Sequence, residues 1–435
     1  MNKNDEARLE IYDLHADGQG VAKWADGRTV FVAGTFPGDI VWAKILKVEK
    51  SYAYAKNMKI IEPSASRVEG SCVCPAAGPC GGCQFQHYDY TAQLKFKEKL
   101  VQDAFRRIGQ NFEISPIIGM DKPYNYRNKA QFPQALGLYA ARSHRIVPVT
   151  DCNIMHPACI EVLQVVQKMA IPNLRHLVVR VGQNTGEVMV IFVMSDSSIP
   201  PIDDIKADTI LVNENSANTN VILGKKFTAL KGSGYIHEEL GHVRYRISPQ
   251  AFFQVNSAQA KALYDLVAKQ LDGVKRVIDA YCGTGSIALY TANQVEEIVG
   301  IESVAEAVKD AEYNAQLNDI KNARFLCGQV EDLVPKLLKD KKYDVLILDP
   351  PRKGCDGKLV DTIIESGINK IVYVSCNPIT LVRDVRLLCE GGYRLSYVQP
   401  VDMFPMTRHV ECVVVLEQLR ASGTMNAYPQ HYPKT

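Results

Sequence analysis

At 435 residues, and at roughly 150 residues per domain, the chain has room for about three domains or two with large insertions, which excludes one small domain. With 46% hydrophobic and 23% charged residues it can bury a core, which excludes wholesale disorder. Fifty Lys plus Arg against 48 Asp plus Glu leave a formal net charge of +2, so no global field marks nucleic acid as a partner, and any RNA-binding surface must be a local patch.

The polar stretch 1–10 has no apolar targeting core, and apolar runs such as 188–194 fall far short of the ~20 residues of a membrane helix. A cytoplasmic protein with no membrane partner is expected. Twelve cysteines in a chain of this size, several inside apolar strand patterns, suit a reducing compartment in which clustered thiols bind metal. Short β-rich runs at 9–14, 29–32, 39–48 and 52–61, with turns at Asp17-Gly18, Asp26-Gly27 and Pro37-Gly38, predict a small OB-like β-barrel over 1–62. Lys44, Lys47, Lys50, Lys56 and Lys59 interleave there with Trp42, Tyr52 and Tyr54. That mixture suits a surface tracking an RNA backbone, and equally a solvated lysine face.

Residues 63–67 read as a linker, followed by a cysteine-rich loop over 72–83. A basic amphipathic helix is predicted over 90–108, with Leu94, Leu100, Val101, Ala104, Phe105 and Ile108 near helical spacing. It is a candidate to pack on the C-terminal domain. From about 123 to 246, strand patterns such as 177–181, 188–194 and 209–212 predict a mixed α+β central domain, taken as 63–247.

Beyond Ser248 strands alternate with helices: 277–281, 286–294, 298–302, 304–317, 323–326, 343–348, 358–366, 370–375, 380–389, 393–400 and 410–416. This rhythm predicts an α/β, doubly wound parallel sheet for a domain over 248–435, with a frayed polar tail after Gln418. In such sheets the ligands sit beyond the carboxyl ends of the strands. Residues just after Tyr281, Glu302, Leu348 and Ser375 therefore converge on one cleft.

The first of those strands runs into Cys282-Gly283-Thr284-Gly285-Ser286, and Glu302 follows at the next strand end, where a carboxylate can accept both hydroxyls of a ribose. The third glycine of a dinucleotide fingerprint is replaced by Ala288. Asp279-x-x-x-Gly283-x-Gly285 with that carboxylate resembles the Rossmann-like class I methyltransferases that bind S-adenosylmethionine; a dinucleotide site or a plain tight turn remains the alternative on this segment alone.

Two further strand ends carry Asp349-Pro350-Pro351-Arg352 and Cys376-Asn377-Pro378. A cysteine before a helix N-terminus is expected to have its thiol pKa lowered, favouring a reactive thiolate. Glu411, in Phe404-Pro405-Met406-Thr407-Arg408-His409-Val410-Glu411, can act as a base if the fold brings it to the cleft. Thiol and base together suit conjugate addition to a pyrimidine. Carbon 5 of uracil is too weak a nucleophile to take a methyl group unaided, but thiolate attack at carbon 6 makes it an enolate, and a base then removes the carbon 5 proton. Asp349 and Gln254 are placed to hydrogen-bond the base edge or the cofactor.

Ser248-Pro249-x-x-Phe252-Phe253-Gln254-Val255-Asn256, Asp279-x-Tyr281-Cys282-Gly283-x-Gly285, Asp349-Pro350-Pro351-Arg352, Ser375-Cys376-Asn377-Pro378 and His409-Val410-Glu411, in this order, resemble the RNA uracil-C5 methyltransferase family. The resemblance runs from the barrel to Leu416. It implies Cys376 as nucleophile, Glu411 as proton acceptor, and S-adenosylmethionine contacts from Gln254, Tyr281, Glu302 and Asp349. Met406 stands where many members carry His.

Cys74, Cys80 and Cys83 are spaced C-x5-C-x2-C, with Cys152 at a distance and Cys72 able to replace Cys74. Four thiolates enclose either zinc or an iron-sulfur cluster, and spacing does not separate the two. The ribosomal branch of the family resembles this layout, with a TRAM barrel and a [4Fe-4S] cluster, whereas the tRNA branch characteristically lacks both. The resemblance thus implies 23S rRNA as substrate and a [4Fe-4S] cluster on Cys74, Cys80, Cys83 and Cys152, to which a structural role is assigned because methyl transfer needs no electron. The target uridine must leave its stack to meet Cys376, so a single-stranded or refolded loop with a flipped nucleotide is expected, and a monomer is expected.

Overall fold

The computed structural model describes residues 1–70, 72, 80–109, 112–134, 137–141, 143–217 and 219–419. Cys74 and the tail 420–435 lie outside the described residues.

The N-terminal strands β1 (Glu6–Glu10), β2 (Asp13–Leu14), β3 (Gly20–Lys23), β4 (Thr29–Ala33), β5 (Ile40–Val48) and β6 (Tyr52–Glu62) form one sheet in the order β1-β5-β6-β4-β3-β2, with β1 returning against β3. Alternation sets the faces. Val41, Ala43 and Ile45 point into a core with Leu9, Val30 and Ala53, while Trp42 of the same strand stays exposed. Gly18 and Gly27 take φ of +82° and +84° at the two Asp-Gly turns, a region that only glycine enters without strain. The expected linker is pinned: buried Asp39 accepts from the Ser64 backbone at 2.8 Å and from Arg67 Nη2 at 2.5 Å.

Helix α1 (Tyr90–Arg107) starts at Asp89, whose carboxylate accepts from the Ala92 backbone at 3.1 Å. Its Val101, Ala104 and Phe105 are buried in the same core as the C-terminal sheet, against a helix and a strand of that region described below.

The central region contains β7 (Lys129–Pro133), β8 (Gly137–Tyr139), β9 (Ile146–Pro148), α2 (Pro157–Gln167), β10 (Leu174–Val181), β11 (Val188–Met194), β12 (Thr209–Glu214), β13 (Lys226–Lys231), β14 (Ile236–Leu240) and β15 (Val243–Ile247). Five of these strands make a sheet ordered β13-β12-β11-β10-β7, and α2 packs on β7 and β10. Helix α2 lies in a region whose strand-like alternation hides it. Its signal was His156-Pro157, a capping side chain followed by proline at the first helical position.

The last region is a layered α/β unit: α3 (Ser257–Ala268), β16 (Arg276–Ala280), α4 (Ser286–Thr291), β17 (Glu297–Glu302), α5 (Ala305–Leu317), β18 (Ala323–Cys327), α6 (Val330–Asp340), β19 (Val345–Leu348), α7 (Gly357–Ser366), β20 (Lys370–Ser375), α8 (Pro378–Glu390), β21 (Tyr393–Val401) and β22 (Glu411–Gln418). Its strands run β18-β17-β16-β19-β20-β22-β21, the first five parallel and β22 antiparallel to both neighbours. The central strands are apolar on both faces because helices cover both, as Val345–Leu348 shows. The strand order reverses between β16 and β19, so the cleft opens where Tyr281 and Asp349 leave the sheet.

Candidate active site

At the carboxyl end of β16 the chain turns through Tyr281, Gly283 and Gly285 at φ of +65°, +54° and +75°. Tyr281 is not a glycine, and its left-handed backbone is a local strain held by the phenol, which donates to Glu331 Oε1 at 2.9 Å. A Cβ on Gly285 would lie 2.9 Å from Phe325, whereas one on Gly283 would meet nothing within 4 Å. The turn thus packs tightly on one side and leaves open space on the other. Glu302, at the end of β17, accepts from Gly283 N at 3.2 Å and from Val304 N at 2.8 Å. Below the turn, fully buried Asp279 accepts from Ala288 N at 3.0 Å, its other oxygen has no partner, and burial and Asp349 push its pKa up to about 8. A carboxylate over an open glycine turn and an unsatisfied acid beneath it fit an adenosyl cofactor.

Gln254 lies nearly buried in the loop before α3, its carbonyl accepting from Asn128 Nδ2 at 3.2 Å. Asn256 caps α3 and donates to the Met403 carbonyl at 3.0 Å, while Tyr264 on α3 donates to Ser286 at 3.0 Å. This loop therefore joins the glycine turn to the segment leading to Glu411.

Cys376 and Glu411 come together through strand register. β20 and β22 are antiparallel and Ser375 pairs with Cys412, so Cys376, one residue past the end of β20, comes beside Glu411, the first residue of β22, which bears electrostatically on its thiol. Asp349 and Arg352 complete the group, since both act electrostatically on Cys376 and on Glu411. The lowered thiol pKa expected for Cys376 is not found. Burial raises it to about 11, Glu411 and Asp349 add to the rise, and Arg352 opposes it. The helix end supplies little, because Pro378 has no N–H and Asn377 Oδ1 already accepts from Ile379 N at 3.2 Å. Glu411 is likewise pushed well above the usual carboxylate range by burial, then by Asp349, with Arg352 opposing. His409 is held neutral, its pKa brought down to about 4 by burial and by Arg408, Arg352, Lys97 and Arg127 around it.

Residues 225–419 match the tRNA (Uracil-5-)-methyltransferase family, and residues 2–57 match the TRAM domain. An uncharacterized RNA methyltransferase of Halalkalibacterium halodurans is 42% identical over 96% of this chain and 98% of its own, and one of Bacillus cereus is 41% identical over the same shares. The chain belongs to the TRAM-containing RNA uracil-5-methyltransferase family. A solved relative, the tRNA (uracil-54, C5)-methyltransferase of Pyrococcus abyssi in complex with S-adenosyl-L-homocysteine, is 29% identical and superposes with a TM-score of 0.80 over 94% of this chain and 100% of its own. The protein is thus an S-adenosylmethionine-dependent RNA uracil-C5 methyltransferase with a class I methyltransferase fold.

In this RNA uracil-5-methyltransferase the segment 402–410 ahead of Glu411 is clamped from several sides, which sequence reasoning missed. Buried Asp402 pairs with buried Lys97 at 2.5 Å and accepts from Tyr90 at 2.8 Å. Lys97 also donates to the Phe404 carbonyl at 3.0 Å, and Tyr126 to that of Pro405 at 2.9 Å. Met406, at φ +63°, has its carbonyl bound by the backbone N–H groups of Gln84 and Phe85, just after the cysteine loop. In that loop burial pushes the Cys83 thiol up to about 12, with Cys152, Cys80 and Cys72 each adding to the rise. Thiols that oppose one another's ionisation in a buried setting are a donor set whose thiolate forms a bound cation would stabilise. Among the described residues no three His, Cys, Asp or Glu side chains are grouped as metal ligands, and Cys74 lies outside them.

Proposed function

We propose that this enzyme methylates carbon 5 of a uridine in 23S rRNA through a transient bond between Cys376 and carbon 6, as a cytoplasmic monomer built from units 1–62, 63–247 and 248–435. The observation that carries the chemistry is the β20–β22 register, which sets Cys376 beside Glu411. Gln254, Tyr281, Glu302 and Asp349 would hold S-adenosylmethionine, which when bound supplies an electrophilic methyl group. The Cys376 sulfur bonds carbon 6, and the ring double bond moves its electrons toward carbon 5 and the neighbouring carbonyl. Once carbon 5 is methylated, Glu411 takes its proton, the electron pair restores the double bond, and the bond from sulfur to carbon 6 breaks. Both groups hold their protons at rest, so the Cys376 thiol must release its proton to solvent before the sulfur bonds carbon 6, and Glu411 must release its own before it takes the carbon 5 proton; Arg352 is the neighbour that favours ionisation of each.

Cys80, Cys83 and Cys152 with Cys74 would hold a [4Fe-4S] cluster of structural role, because no step above needs an electron. Absorbance at about 400 nm from anaerobically purified protein supports it, and a colourless zinc-loaded sample refutes it. Ribosomal RNA as substrate rests on the resemblance of the barrel and cysteine loop to the ribosomal branch of the family. The second reading is a tRNA uridine, favoured by the Pyrococcus abyssi enzyme, whose architecture this chain shares over 94% of its length. Mapping 5-methyluridine in RNA from cells lacking the protein decides between them. A methyl lost from 23S rRNA is expected, and one lost from tRNA overturns the substrate assignment.

A further inference from the structure

Where β10 pairs with β7, Arg180 stands directly opposite Lys129, so the two cations share one face of the sheet. Like charges in that position destabilise a sheet, and here Arg180 is only 4% exposed while Lys129 is half-buried. Arg180 donates to the Ser248 carbonyl at 3.1 Å and feels Asp310. Lys129 has no such relief among the described residues: burial brings it down to about 7, helped by Arg180 and then Arg127, both repulsive. The acids nearby are already engaged. Asp310 is held by Arg246 at 2.7 Å and by Ser248 at 2.6 Å, and Glu238 accepts from the Gln183 and Asn184 backbones and from Ser257. Arg127 sits two residues before Lys129, donates to its carbonyl at 3.1 Å, and bears on His409 near Glu411. The trio thus adjoins the 248–256 loop through Asn128, which donates to the Gln254 carbonyl, and the segment leading to Glu411 through Tyr126, which donates to the Pro405 carbonyl.

We propose that Arg127, Lys129 and Arg180 form a subsite for one backbone phosphodiester of the RNA, beside the nucleotide presented to Cys376. The proposal rests on the reading of RNA as substrate and adds how it is gripped. Clustered cations without an acid are costly in the free protein, and a phosphate oxygen offsets that cost on binding. Such a contact fixes register and carries no sequence information.

The test is binding of an oligouridine RNA to the full-length protein by fluorescence anisotropy, at salt concentrations from about 50 to 300 mM. Lys129→Gln is expected to weaken binding roughly tenfold and to reduce the slope of log affinity against log salt by about one. Lys129→Arg is expected to restore both. S-adenosylhomocysteine binding, measured by calorimetry, checks that the variant is folded, and its melting temperature should hold or rise because the repulsion with Arg180 is gone. An unchanged salt slope in Lys129→Gln overturns the proposal, whatever the melting temperature does. Because the readout is binding, failure to methylate uridine would sink the functional reading and leave this measurement standing.

Discussion

Cys376 and Glu411 are neighbours only because two antiparallel strands end together. In the proposed reaction Glu411 is the base and Cys376 the thiol, so removing the first while keeping the second should stop it after carbon 5 is methylated. Glu411→Gln is therefore expected to lower turnover about a thousandfold and to leave a covalent enzyme–RNA complex that survives a denaturing gel. Cys376→Ala should give neither turnover nor complex, and a complex in that variant would refute the thiol's role. Asp279 offers a test without substrate. Its folded pKa, raised to about 8 from 3.8 by burial, means that the folded state keeps a proton the unfolded chain has released, so stability falls as pH rises between those values. Asp279→Asn keeps an acceptor for Ala288 N and removes this loss. Urea denaturation should find the variant equal to the parent near pH 4 and more stable by about 1–3 kcal/mol at pH 8. Parallel pH profiles would contradict it. Both catalytic candidates were legible as residue types at strand ends. The protonated state of Cys376 was not, because burial is a property of the packed fold and not of the local sequence.

The segment 402–410 is the element whose placement decides where Glu411 points, and its anchors come from residues far away in sequence. Lys97 on α1 meets Asp402 some three hundred positions later, at |i−j| of 305. In sequence Lys97 is one cation among several on a basic amphipathic helix, and nothing in its spacing separates the buried lysine from solvated Lys95 and Lys99. The strands and most helices of the C-terminal region, by contrast, were readable from apolar runs bounded by glycine and acid residues, whereas α3, α6 and the antiparallel direction of β22 were not. Breaking a buried ion pair by removing one partner typically costs about 3–5 kcal/mol, since the other charge is left buried. Lys97→Met should cost that much in denaturant unfolding and lower kcat more than it raises KM. The double variant Lys97→Met with Asp402→Leu should recover most of the stability. If Lys97→Met were as stable and active as the parent, the clamp would be irrelevant to the site.

The barrel and the catalytic sheet are joined by a small aromatic core. Phe36 of the barrel stacks on Tyr88 with centroids 4.5 Å apart and meets Phe85 at 6.3 Å. Phe85 N also binds the Met406 carbonyl, and Arg408 donates to Ala16 of the barrel at 3.3 Å. The barrel therefore supports the segment carrying Glu411, in addition to the RNA surface proposed for it. Sequence composition suggested only the second role, since long-range packing of Phe36 leaves no local pattern. That surface holds an aromatic group, with Phe31 centred 4.8 Å from His15, 5.6 Å from Tyr52 and 5.8 Å from Tyr54, a platform on which bases can stack at about 1–3 kcal/mol each. The two roles separate in kinetics. Tyr54→Ala should raise KM for RNA several-fold with kcat kept, because it touches only the outer platform. Phe36→Ala should lower kcat at saturating RNA and destabilise the protein by about 3–5 kcal/mol, because it removes the buried contact behind Met406. Steady-state kinetics with thermal denaturation reads both. If Phe36→Ala changed KM alone, the barrel would be a passive RNA handle, and the path from Phe36 through Phe85 to Met406 would carry no weight in catalysis.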